Sequence, residues 1–263
     1  MIDFLKMFDS YNRQARLYPA LLTFLPAILV LIVWFPALLL EDTKGVLLTL
    51  AGSTGLTFFM SDVARTRGRR LELRLLKQWG GWPTTLWLRH KDAHLDASTK
   101  QRYHAFLSGG RTNLVFPTAN EEQANPDHAD SVYSSAVLWL KEQCRGDQFP
   151  LVEKENITYG FRRNLAGMKP IGISVCYGAL TVSIAGIGVA VYGDPQLSIS
   201  GYLSKSWAIN YPGILGATLF AALCLTAWII VVRDDWVRDA SDQYARALLA
   251  NCDTLKNREN RGT

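Results

Sequence analysis

The sequence predicts a mainly α fold: a four-helix transmembrane bundle with a small cytosolic α+β domain inserted between helices 2 and 3. Three observations carry this. Charge vanishes from four apolar runs and crowds the rest of the chain, although the averages of 49% hydrophobic and 19% charged residues look ordinary. The runs come as two close pairs separated by about a hundred residues. With the crossings drawn this way, 26 of the 28 Lys and Arg fall on one side. Domain boundaries follow: 1–64 for the N-terminal segment and helices 1 and 2, 65–168 for the cytosolic domain, 169–232 for helices 3 and 4, and 233–263 for a cytosolic C-terminal helix.

The first run, residues 19–40, has 22 residues without charge, enough to cross a hydrocarbon core of about 30 Å. It is too long for the apolar core of a cleaved leader, and no small-x-small site follows before Glu41, so it reads as a retained anchor. Pro26 and Pro36 predict a kink, since neighbouring groups in a membrane re-satisfy the freed carbonyls. The second run, 45–60, is short and carries Gly and hydroxyl residues; only EDTK separates it from the first. The third and fourth runs are 170–192 and 212–232. Tyr192, Tyr202, Trp207, Tyr211 and Trp236 flank them, as interfacial aromatics do. The cationic excess puts both termini and the insert on the cytoplasmic side, which in a bacterium is the inner face of the inner membrane.

Small residues recur at spacings of four: Gly213, Ala217 and Ala221; Ser174 and Gly178; Ala51 and Gly55; with Gly186 and Gly188 besides. Such stripes let membrane helices approach closely, within one subunit or between subunits. No Asp, Glu, Lys or Arg interrupts any of the four cores, which counts against a proton- or ion-coupled pump. A pore remains allowed, with Ser53, Thr54 and Thr57 as candidate lining.

In the insert, residues 62–79 read as a helix stopped at Gly80–Gly81. After Pro83 the stretch TTLWLRH is rich in strand formers and predicts a short strand; residues 114–116 predict another. Residues 97–107 predict a helix with Asp96 and Ser98 as candidate caps, and Thr118 with Glu121 makes a capping-box pattern. Residues 129–144 predict an amphipathic helix. Ile157, Phe161 and Leu165 continue into the third crossing. The tail predicts an extension of the fourth helix, its weak apolar stripe packing on the insert.

The chemistry for catalysis is missing. There is no phosphate-cradling GxxxxGK[ST], no GxSxG and no HExxH, so an enzyme is not expected and no cofactor is implied. Cys144, Cys176, Cys224 and Cys252 are scattered and predict free thiols. His90 and His94 stand four apart with Asp92 and Asp96 between them, but no third ligand lies nearby, and solvated polar residues fit better than a metal site.

What stands out is basic and aromatic: Arg65, Arg67, Arg69, Arg70 and Arg74, then Trp82, Trp87, Arg89, Lys91, Arg102 and Arg111, then Arg162 and Arg163. Arginine forks recognise phosphates, and aromatic rings stack bases. The cations abutting the membrane are equally explained by anionic lipid and the positive-inside bias. Arg89, Lys91, Arg102 and Arg111 lie further out and are the better nucleic-acid candidates.

The phrases WGGWPTTLWLRHKD, TKQRYHAFL and YGFRRNLAGMKPIG resemble a bacterial family of four-pass membrane effectors of anti-phage defence, most specifically the Hailong-type effector. The resemblance covers most of the chain and implies a homo-oligomeric, tetrameric ion channel. In it, the cytosolic domain binds an oligodeoxynucleotide or nucleotide made by a partner nucleotidyltransferase, which holds the pore shut; loss of the ligand depolarises the membrane and arrests growth. The competing expectation is a non-conducting scaffold that recruits a cytosolic partner through an apolar patch on the insert.

Overall fold

In the computed structural model of the chain, residues 10–35, 43–108, 112–146, 148–194 and 196–262 are described, side chains included except at 43–58 and 259–262. The chain is mainly helical. In order come α1 (Ser10–Trp34), α2 (Thr43–Trp79), α3 (Pro83–Leu86), α4 (Ala97–Leu107), α5 (Ala119–Ala124), α6 (Pro126–Gln143), α7 (Pro150–Tyr192), α8 (Ser198–Ile230) and α9 (Asp234–Gly262). It divides into two compact units: Met1–Leu71 with Gly160–Trp236, and Glu72–Tyr159 with Val237–Thr263.

Among the described residues, three helices are long and apolar enough to cross a membrane: α1, α7 and α8. The chain is a membrane protein, but the four-helix bundle read from the sequence is corrected. The run 45–60 forms only the first part of α2, which continues to Trp79. Sixteen residues interrupted by Gly and Thr, with Asp62 and Arg65 following in the same helix, fall short of the ~20 apolar residues a span requires.

The α+β insert is corrected too, since no strand occurs among the described residues. Gly80 and Gly81 take positive φ (81° and 139°) and turn the chain out of α2. Pro83 then occupies the first turn of α3, where its fixed φ suits a helix and its missing N–H costs nothing. Thr84, Thr85, Leu86, Trp87 and Leu88 are all buried in succession. A strand with one solvated face would alternate, so burial on every side overrides the strand propensity of TTLW.

The membrane unit is held by contacts that prolines make available. Pro19 has no N–H to give the carbonyl of Ala15, and the Nδ2 of fully buried Asn164 donates to that oxygen instead, at 2.6 Å. A π-helical turn, Arg13–Leu17, surrounds this point. Further along, the indole N–H of Trp34 reaches Ser183 Oγ (3.4 Å), which also meets Thr218 Oγ1 (2.5 Å). α1 and α7 therefore run side by side in the same direction. α8 returns against them, packing Ile214, Ala217 and Ala221 on Val30, Trp34 and Ala179. Leu21, Ile28, Leu31, Val182, Ile184, Leu219 and Leu223 are exposed, as expected of side chains facing lipid.

Of the small-residue stripes, Ala217 and Ala221 are buried at this contact, and Gly186 packs on Trp34. Gly178 and Gly188 have nothing within 4 Å, while Ala51 and Gly55 lie outside the described side chains. One close helix crossing uses glycines absent from those stripes: a Cβ on Gly167 would sit 2.6 Å from the backbone N of Gly68. The tail does not extend α8. Residues 231–233 break the helix, and α9 restarts with Asp234 and Asp235 in its first turn, where acids suit the helix dipole.

The soluble unit has its own core, in which Leu88, Leu107, Tyr133, Ala136 and Leu140 meet Ala245, Leu248, Leu249 and Cys252 of α9.

Candidate functional site

The site is built on the loop joining α3 to α4. Asp96 caps α4, its Oδ1 accepting the N–H of Thr99 at 2.9 Å. Capping brings Lys100 round to the loop. Its ammonium is buried and donates to the carbonyls of Arg89 (2.7 Å), His90 (3.4 Å) and Asp92. Burial pulls the Lys100 pKa down, and the acids Asp92 and Glu122 oppose that pull. The loop is thus clamped from inside by one side chain.

His104, one turn beyond Lys100, gives Nε2–H to the carbonyl of Leu88 at 2.7 Å. Its ring meets those of Phe116 (4.9 Å), His90 (5.1 Å) and Tyr133 (5.7 Å). Desolvation lowers the His104 pKa, so at neutral pH it is uncharged. His90 bonds the Pro117 carbonyl through Nε2 at 2.9 Å, and its backbone N–H donates to Glu122 Oε2. The same buried carboxylate oxygen accepts from Tyr133 Oη at 2.8 Å. The bonded carbonyls fix a proton on Nε2 of each imidazole, which in His104 leaves Nδ1 as an acceptor.

Two cavities meet at His90. One, about 650 Å³, is lined by His90, Asp92, Leu95, Asp96, Lys100 and His104 among others. The other, about 580 Å³, is lined by Arg89, His90, Lys91, Glu122, Gln123 and Pro126 with Ala119. Both fall in the size range of small-molecule sites. A third, about 370 Å³, borders Lys141, Cys144, Arg145 and Tyr244. Burial raises the Cys144 thiol to about 11, so at neutral pH it stays protonated and is a poor nucleophile.

The candidates read from the sequence separate by unit. Arg65, Arg67, Arg69, Arg70, Arg162 and Arg163 belong to the membrane unit; Arg74, Trp82, Trp87, Arg89, Lys91 and Arg102 belong to the soluble one. Arg89 is committed to a bidentate pair with Asp130, its Nε 2.7 Å from Oδ1, which raises its pKa. Arg102 is likewise forked onto Asp253, at 2.8 and 3.1 Å. Neither is a spare phosphate-binding cation.

Trp87 is 1% exposed and stacks on His94 at 5.0 Å, so it is core and not a platform for a base. Trp82 is half-buried, with the Lys141 ammonium 5.4 Å over its ring. Arg162 donates to the Trp236 carbonyl (2.9 Å), and Lys169 to that of Val232 (2.7 Å). These two satisfy carbonyls around the break after α8. Lys91 is exposed, lines the second cavity and has no ion pair among the described residues. Arg111 and the side chains of Ser53, Thr54 and Thr57 lie outside the described residues.

Lys100, His104, Glu122 and Tyr133 were missed in the sequence. The one available signal was the four-residue spacing of Lys100 and His104, which puts both on one face of α4. Among the described residues no three His, Cys, Asp or Glu side chains converge as a metal's ligands. His94 instead takes the carboxylate of Asp92.

Charge is divided unevenly between the units. The soluble unit has fifteen Lys and Arg against fifteen Asp and Glu, so the whole formal +5 resides in the membrane unit. No protein-family model matches the chain, and no curated protein or solved structure matches it.

Proposed function

We propose that the chain is a bacterial inner-membrane effector whose soluble unit binds a nucleotide or short oligonucleotide and thereby gates an ion conductance of its membrane helices. The observation that carries this reading is the pair of cavities meeting at His90. One wall offers the exposed ammonium of Lys91, without an ion pair among the described residues, for a phosphate. Both cavities offer imidazole and carboxylate edges for a base or sugar. The balanced charge of the soluble unit favours a ligand of one or a few phosphates over a long strand, because it supplies little long-range attraction for a polyanion.

The resemblance of the 79–92, 99–107 and 159–172 segments to anti-phage membrane effectors supports the gating role, and with it a homo-oligomeric, tetrameric assembly supplied with ligand by a nucleotidyltransferase. The positive-inside bias supports a cytoplasmic position for the soluble unit. The scaffold alternative draws on Leu73, Val115, Leu138 and Leu151, large apolar side chains exposed on the soluble unit.

Current through planar bilayers holding the purified protein, recorded with and without short single-stranded DNA or nucleoside phosphates, tests the proposal. Ligand should change the current, and Lys91→Glu should abolish the response without abolishing the conductance. Absence of current under every condition would remove the channel and leave the scaffold.

A further inference from the structure

We infer that Lys141 of the soluble unit is a nucleophile that captures small aldehydes as an imine in the cavity it lines. Its side chain projects from the last turn of α6. Trp82, at the turn into α3, and Tyr244 of α9 flank the amine, with Nζ 5.4 Å and 5.7 Å from the two ring centroids. Buried Val152 and Leu248 add apolar wall to the same cavity, about 370 Å³, a volume that suits a small molecule. Rings offer an amine no acceptor oxygen, and Lys141 makes no hydrogen bond or ion pair among the described residues. Lys100 is the contrast, since its ammonium donates to three carbonyls. Both side chains are sheltered from water, but only Lys141 keeps its nitrogen unspent and turned to a cavity.

An amine must shed a proton before it attacks a carbonyl, and a desolvated lysine does so more readily than one in water. Loss of hydration pulls the Lys141 pKa down, and the opposing pull of the Glu72 carboxylate is outweighed. The two rings also favour the cation. Glu72 itself accepts from Tyr159 Oη at 2.9 Å. Of the other charged and titratable groups at the cavity, Arg145 is paired with Glu142 at 2.7 Å and Glu153 is exposed. The Cys144 thiol, pushed up to about 11, stays protonated and does not compete for the electrophile. The step is balanced. The lone pair of Nζ forms a bond to the carbonyl carbon, and the carbonyl oxygen takes a proton from the nitrogen. The nitrogen's second proton and the new hydroxyl then leave as water while C=N forms. No oxidant or reductant is consumed.

Labelling of the full-length protein in detergent, resolved lysine by lysine, tests the proposal. Benzaldehyde forms the imine, cyanoborohydride fixes it as a secondary amine by hydride transfer to the imine carbon, and peptide mapping by mass spectrometry reads each site. Near neutral pH, Lys141 should be labelled several-fold faster than Lys154 and Lys256, which are exposed on the same unit. Lys100 should be labelled more slowly than any of these. In urea the four should react alike. A rate at Lys141 no higher than at the exposed pair would overturn the proposal. An advantage that survives urea would overturn it too, because the cavity would then play no part. Labelling of Lys100 as fast as Lys141 would mean that an unspent amine is not what matters, and would sink the argument from its partners. Wild-type protein is labelled, so no variant has to fold. The cavity shares no lining residue with those at His90, and the outcome is therefore separate from that of the gating proposal.

Discussion

Burial decides the charge of His104. Taking the imidazole out of water lowers its pKa below the ordinary 6.5, His90 and Lys100 push the same way, and the Leu88 carbonyl and Glu122 push back. A group with a depressed folded pKa contributes its stability above the unfolded value, and that contribution is lost as pH falls through the folded one. The Tm of the protein should therefore hold steady above about pH 7 and decline below pH 6.5. In His104→Gln, whose amide can still donate to Leu88 without titrating, the decline should flatten. Thermal unfolding followed at pH 7.5 and 5.5 checks this; an unchanged slope in the variant would assign the effect elsewhere. None of this could be read from the sequence, where His104 is one polar residue in a short amphipathic helix. Its carbonyl partner and three aromatic neighbours come from residues 12 to 29 positions away.

At the scale of elements, helices with a local signature were legible and those decided by tertiary burial were not. Asp96 announced α4, and Thr118 with Glu121 announced α5, because caps are recognised within three residues. TTLW has the composition of a strand yet forms a helical turn, since Pro83 and burial on all sides outweigh propensity. Of the small-residue stripes, Ala217, Ala221 and Gly186 pack within the chain, a tight crossing elsewhere sets Gly68 on Gly167, and Gly178 has nothing within 4 Å. Gly167→Ala should cost about 1–3 kcal/mol, because two backbones must separate. Gly178→Ala should be neutral or slightly stabilising. Tm in detergent distinguishes them, and equal effects would mean that the crossing does not limit packing.

For the whole molecule, segregation of charge is the informative quantity. Sequence averages concealed that the soluble unit is formally neutral, because the unit boundaries cut through α2 and α7 and not through a loop. Two of the four outer cations proposed for nucleic acid, Arg89 and Arg102, turned out to be spent on Asp130 and Asp253, acids 41 and 151 positions distant. Binding of short DNA to the soluble unit should then depend weakly on salt, with a log–log slope of roughly −1. Titrations between low and physiological salt give the slope directly. A value several times steeper would mean that the arginines of the membrane unit share the ligand.

Lys100 makes the His90 cavities interdependent. One ammonium braces the carbonyls of Arg89, His90 and Asp92 in the loop that each chamber uses as a wall, so neither can be reshaped alone. Evolution or design acting on the pocket has a single hinge pin to work around. Replacing it with an uncharged chain of equal length would take a donor from three carbonyls together, and both chambers would slacken in one step.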